Sequence, residues 1–225
     1  MKKHLLKIIL IALFGLAYGS SLKAQSVAFY GGISTPNDEV NNVYNSSTSI
    51  PSLREKTELG YHIGARARMP LAASFLLSGG VSWNRFPETS VYVVKPNSID
   101  PKKNDTLAGI GTEQNIVPVA LGLDYVIFNK GLGMFIGGEL AYNYIGNTTT
   151  VIYNNQSIPL DEPDEVQNRV GGGIGLGVFF DAKIATAIVD LKYNMINLIG
   201  KEDNEPAKNY VTLSVGLMLG GMSNF

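Results

Sequence analysis

Chemistry at neutral pH most often begins with a histidine or a cysteine, and this chain offers few of either. It has two histidines, His4 and His62, and no cysteine. His4 lies in a leader-like segment, so His62 is the imidazole that remains for general-base, nucleophilic or metal chemistry. A catalytic histidine needs a nucleophile or an activated water beside it and usually a carboxylate behind it. No serine or carboxylate stands at a spacing that ties it to His62, and a metal site fails for the same lack of partners. A packed, hydrogen-bonded imidazole is the expectation. The absence of cysteine excludes thiolate and disulfide chemistry and a lipid-anchored amino terminus. No catalytic residue, cofactor or metal site is predicted.

Three other stretches have residue types that could bind something. Asp161, Glu162, Asp164 and Glu165 form an acidic cluster that could hold Ca²⁺, or bridge lipopolysaccharide through divalent cations. Its ordinary reading is a solvated loop. Asp105-Thr106-Leu107 resembles a short O-glycosylation acceptor. Glycine occupies every second position from Gly171 to Gly177, a spacing and strand context unlike a phosphate-cradling loop. Such glycines leave room for long side chains, with Tyr30 or Arg66 as the expected occupants. The charged residues set among apolar stretches are Arg66, Arg68, Asp124, Glu139, Arg169, Asp190 and Lys192. Buried charges must be paired, so these predict an internal ionic network, with Glu139 and Asp190 as counter-ions for Arg66, Arg68 or Lys192.

The elements that position these residues begin after residue 24. Lys2, Lys3 and Lys7 precede an apolar run from Ile8 to Ala17, followed by Gly19, Ser20 and Ser21. That is the plan of a secretory signal peptide over 1–24, with cleavage expected between Ala24 and Gln25. The mature domain is then 25–225. Removing the leader takes away four lysines and no acid, so 18 basic and 19 acidic residues become 14 and 19, a net charge of −5. An acidic exported chain argues against nucleic acid as a partner.

Within the domain no apolar run suffices for a membrane helix, and period-two alternation recurs instead. The clearest case is Asn209 to Gly220. There Val211, Leu213, Val215, Leu217 and Leu219 share one face, while Thr212, Ser214, Gly216 and Gly220 share the other, with Met218 as the exception. Comparable alternation predicts strands over about 27–33, 59–68, 74–84, 117–127, 134–144, 169–180 and 189–195, eight in all. Polar connections over Ser34–Lys56, Pro87–Gly111, Asn147–Glu165 and Gly200–Lys208 read as long loops. Tight turns are expected at Met69–Pro70, Asn129–Gly131 and Asp181–Lys183.

One parity of each strand is free of charge, and the other holds the seven charged residues named above. Lipid-facing charge at mid-depth costs about 2–4 kcal/mol per Arg or Lys, so those residues should face the lumen. A soluble barrel would show the inverse sorting. On the outward parity, Tyr61, Trp83, Tyr142, Tyr144 and Tyr210 toward the long loops, and Tyr125 and Phe180 toward the turns, predict two aromatic girdles. With the leader, the eight strands, Ile116-Val117-Pro118-Val119 at a strand start and a terminal Phe225, the chain resembles the small eight-stranded outer-membrane β-barrel proteins of Gram-negative bacteria. The resemblance implies an all-β, antiparallel up-and-down transmembrane barrel. It also implies insertion by the barrel-assembly machinery, with Phe225 as assembly signal, although the usual second aromatic is missing from Gly220–Asn224. Outer-membrane lipid and lipopolysaccharide are the expected surroundings of a monomer. A non-enzymatic role in envelope integrity or surface interaction leads. A small-solute or hydrophobic-ligand channel, an envelope lipid-modifying enzyme and a secreted soluble barrel are the alternatives.

Overall fold

The structure is a computed structural model that describes residues 26–35, 53–56, 59–96, 104–153, 156–159, 166–181, 185–203, 205 and 207–220. Among these described residues ten strands form: β1 (Ser26–Ser34), β2 (Leu53–Lys56), β3 (Gly60–Ala72), β4 (Phe75–Pro96), β5 (Asn104–Lys130), β6 (Leu132–Tyr153), β7 (Gln156–Pro159), β8 (Val166–Asp181), β9 (Thr186–Ile199) and β10 (Asn209–Leu219). Eight of them close an antiparallel ring in the order β1-β3-β4-β5-β6-β8-β9-β10, with β10 returning to β1. The seam runs from Val27 opposite Leu219 to Ser34 opposite Thr212. Closure gives backbone donors and acceptors partners without water, which is what lets a sheet cross hydrocarbon.

The polar stretch over Pro87–Gly111, expected to be a loop, is largely strand. β4 runs to Pro96 and β5 starts at Asn104, so these strands are 22 and 27 residues long. β6 likewise continues through Asn147 to Tyr153, inside another expected loop. About ten residues span the membrane, so the excess stands above it. There water meets both faces, the apolar alternation fades, and β-branched and aromatic residues such as Val93, Ile110, Val151 and Tyr153 still favour strand. β2 pairs with Ser90–Val93 of β4, and β7 pairs with Thr150–Tyr153 of β6, widening this raised sheet. The ladder shifts between Phe86 and Thr89, which seats Pro87 where a missing N–H is tolerated. At the opposite rim the expected Met69–Pro70 turn falls inside β3, and the chain reverses instead at Ala73–Ser74. Gly131, at φ 81°, makes the β5–β6 turn.

The outward parity is exposed and apolar. Leu121, Leu140, Val215 and Leu217 are 63, 71, 61 and 59 % exposed, an arrangement that lipid solvates and water would not. Phe75, Tyr125 and Phe180 lie toward the tight turns on this surface, and Tyr61, Trp83, Tyr142 and Tyr144 toward the raised sheet. Phe75 packs on Tyr125 with ring centroids 5.0 Å apart, Tyr61 meets Trp83 edge-on at 5.8 Å, and Tyr142 meets Tyr144 at 5.0 Å. From Phe75 to Trp83 the strand climbs about 20 Å at ~3.3 Å per residue and ~40° tilt, close to the apolar band of such barrels. Tyr210 is a correction. It shares parity with Thr212 and Ser214, points into the barrel and is 2 % exposed.

Candidate functional site in the barrel lumen

Inward side chains stack in three layers along the bore. At the tight-turn end Ala28, Leu76, Val126, Phe135, Phe179, Ile188 and Met218 form one apolar cluster. At the raised-sheet end Phe86, Ile116, Ile145, Ile196 and Tyr210 form another, with Phe86 and Tyr210 edge-on at 5.1 Å. Met218, the exception in the last strand's alternation, is part of the first cluster. Between the two lies the charge.

Glu139 on β6 is the hub of that middle layer. It accepts from Arg66 Nη2 at 2.6 Å and from Lys192 Nζ at 2.9 and 3.1 Å, joining β3, β6 and β9 across the bore. Arg68 donates through Nε to Asp124 at 2.7 Å, and both side chains are nearly sealed from solvent. Its guanidinium lies 4.8 Å from the Phe135 ring centroid; Nη2 has no hydrogen-bond acceptor, and the ring face supplies negative potential there. Asp190, also buried, lines a small cavity with Arg66, Glu139 and Lys192. Arg66, Arg68 and Lys192 thus stand against Asp124, Glu139 and Asp190, three charges of each sign. Arg169 lies apart at the outer rim, where it donates to Glu205 at 2.9 Å and Glu202 at 2.8 Å. Glu205 also accepts from Asn197, and the Lys208 N–H donates to Asn197 Oδ1 at 2.9 Å, so the β9–β10 connection is tied over the mouth.

Glycine makes this packing possible, though not with the partners expected. A Cβ at Gly173 or Gly175 would press on Lys192, and one at Gly177 would strike the Phe135 ring. Tyr30 instead lies over Gly64 and Gly216, and Arg66 over Gly80. Each long side chain crosses a glycine on an adjacent strand, not on the far wall.

His62 is buried between two hydroxyls, with Nδ1 3.1 Å from Ser34 Oγ and Nε2 3.0 Å from Ser214 Oγ. In the neutral ring one nitrogen donates and the other accepts, so one serine must donate to it. Ser34 and Ser214 were not legible as partners, because strand register alone brings residues so distant in the chain together. Pro118 sits mid-strand in β5, where the β4–β5 ladder skips from Val81–Val119 to Asn84–Ile116. Side chains stitch that gap: Asn84 Nδ2 reaches Ile116 O at 3.4 Å, and Trp83 Nε1 donates to Asn115 Oδ1 at 3.1 Å. The signal peptide, the Asp161–Glu165 cluster and Phe225 lie outside the described residues, as do the side chains of Asp105 and Thr106.

A closed antiparallel ring of eight strands, apolar outside and charged within, decides the architecture. The chain has the fold of the eight-stranded outer-membrane β-barrels. Neisserial surface protein A matches it with a TM-score of 0.50 and 14% identity, covering 88% of this chain and 97% of that one. The amino-terminal barrel of Pseudomonas aeruginosa OprF gives 0.44 and 14%, covering 88% and 98%. The attachment invasion locus protein Ail of Yersinia pestis gives 0.43 and 12%, covering 88% and 100%. No protein-family model and no curated protein matches the sequence. The exterior of this barrel is apolar and exposed, and its inward side chains form two apolar clusters with an ion-paired layer between them.

Proposed function

We propose that the chain is a non-enzymatic outer-membrane barrel with a closed lumen, whose raised outer sheet and loops serve envelope integrity or surface interaction. The layering of the bore carries this reading. An ion entering from either end meets an apolar cluster, and behind it charges already paired. The cavities beside the charged layer are about 10 and 20 Å³, room for roughly a water or two. Export through the leader, insertion through the last strand by the barrel-assembly machinery, and a monomer surrounded by lipid and lipopolysaccharide complete the proposal. Planar-bilayer recordings test it: no steady conductance is expected, and reproducible openings would remove the closed-lumen reading in favour of a solute channel. The enzymatic alternative needs a base with access to substrate. Both His62 nitrogens are committed to buried hydroxyls, so His62→Ala should leave lipid A and phospholipid turnover unchanged.

A further inference from the structure

Among the described side chains, Arg85 and Glu113 are the only charged residues on the outward parity of the eight ring strands. Arg85 Nη2 pairs with Glu113 Oε1 at 2.6 Å, with the two side chains 37 and 28 % exposed. Arg85 lies two positions beyond Trp83 on the same face and opposite Tyr61 in the β3–β4 register. Two residues along a tilted strand rise about 5 Å. Headgroups occupy about 5–7 Å on each side of the hydrocarbon, so Arg85 sits at their depth directly above the aromatic belt. The neighbouring rings are fixed: Trp83 meets Tyr61 edge-on, and its indole N–H is held by Asn115.

Stability does not account for this pair, because exposed ion pairs contribute at most about 1 kcal/mol. A guanidinium has five N–H donors in a planar fork suited to two phosphate oxygens, and its contact with Glu113 runs through Nη2. Trp83 just below and Tyr61 beside it offer an apolar surface for acyl chains. We infer that Arg85, beside the Tyr61–Trp83 aromatic pair, is a binding site for the phosphate of an outer-leaflet lipid. Glu113 holds the guanidinium in place until the phosphate arrives. This inference rests on the outer-membrane reading above and names the lipid contact that reading requires.

Trp83 is the chain's single tryptophan, so its fluorescence reports on this site alone. Wild-type chain refolded in detergent micelles is titrated with lipid A, with phosphatidylethanolamine and with a phosphate-free glycolipid. A saturable Trp83 response is expected for a phosphate-bearing lipid and not for the glycolipid. Comparing the first two identifies which lipid supplies the phosphate, and a response to neither overturns the proposal. Arg85→Gln should weaken binding at least about tenfold, the loss of a charge-assisted hydrogen bond, and Arg85→Lys should restore part of it. Equal binding by Arg85→Gln, or an equal response to the glycolipid, overturns the site. Inorganic phosphate giving the same response without lipid would make it a free-anion site and overturn the lipid assignment. Arg85 faces outward, so heat-modifiable mobility of each variant verifies folding. A folded, non-conducting barrel without the Trp83 response would defeat this inference and leave the closed-lumen reading intact.

Discussion

Replacing Glu139 with glutamine tests the central layer most directly. The carboxylate is the partner of both Arg66 and Lys192, and these three side chains are only 11, 8 and 14 % exposed. Removing its charge leaves two buried cations with only Asp190 and the Asp124 carboxylate, already bonded to Arg68, lining the same cavity, while the amide keeps the volume. Breaking a buried pair by deleting one partner costs about 3–5 kcal/mol, roughly a 150- to 5000-fold change in the folded-to-unfolded ratio. With a urea slope of about 1–3 kcal/mol per molar, the midpoint should fall by about 1 M or more. Urea unfolding in lipid vesicles, followed by Trp83 fluorescence and checked by heat-modifiable gel mobility, measures this. Converting Glu139, Asp190, Arg66 and Lys192 together to apolar residues of similar volume should recover most of the loss, since a well-packed apolar layer can match or exceed a buried ionic one. The reasoning is refuted if Glu139→Gln folds with its midpoint unchanged. That result would mean the bore is wet enough to solvate Arg66 and Lys192, and a wet bore is one that conducts.

Three further outcomes are expected. Gly177→Val should cost about 1–3 kcal/mol in the same assay, because the new side chain meets the Phe135 ring and the Val189 carbonyl in a full wall. At the rim, burial opposes the Glu205 carboxylate, yet hydrogen bonds from the Glu202 N–H, Asn197 and Arg169 and the charge of Lys208 hold it below the ordinary value near 4.5. A carboxylate depressed in the folded state gives stability that is complete above that value and is lost as pH falls through the folded-state pKa. Amide exchange in the β9–β10 connection should therefore be slow at neutral pH and accelerate only in that acid range, and Glu205→Gln should abolish the transition. Finally, Phe86→Ala at the outer cluster should not open the bore, because Phe135 and Phe179 still close the other end. Conductance from that single variant would mean the inner cluster does not seal.

Parity carried most of what the sequence could tell. Arg66, Arg68, Asp124, Glu139, Asp190 and Lys192 all fall on the inward face because a strand admits only two directions. Their pairing was not legible. Arg66 and Glu139 are 73 residues apart, and only the register of three intervening ladders brings them to 2.6 Å. Tyr210 was misplaced because its aromatic character and its position near a strand end outweighed its even parity. The raised sheet was missed for a different reason. Above the membrane neither face is required to be apolar, so Ser90 and Thr112 read as loop although backbone pairing continues through both. The apolar clusters left a trace that was available. Phe86, Phe135, Phe179 and Met218 are large apolar residues on the otherwise polar parity, and a wet lumen would have no use for them.

The layering also explains why charge is kept in a bore that apolar residues could fill. Arg66 and Arg68 come from β3, Asp124 from β5, Glu139 from β6, and Asp190 and Lys192 from β9. These pairs link β3 to β5, β3 to β6 and β6 to β9, and in none of the three are the linked strands neighbours in the ring. A one-residue slip in any of these strands would turn its charges toward lipid, and a two-residue slip would part the pairs by about 6.6 Å. Apolar contacts tolerate either error far better, since one methyl packs much like another. The terminal clusters exclude water and the central ion pairs accept only one register, so closure and correct shear are specified together. On this argument the charged layer contributes little net stability. Its role is to make every mispaired barrel expensive.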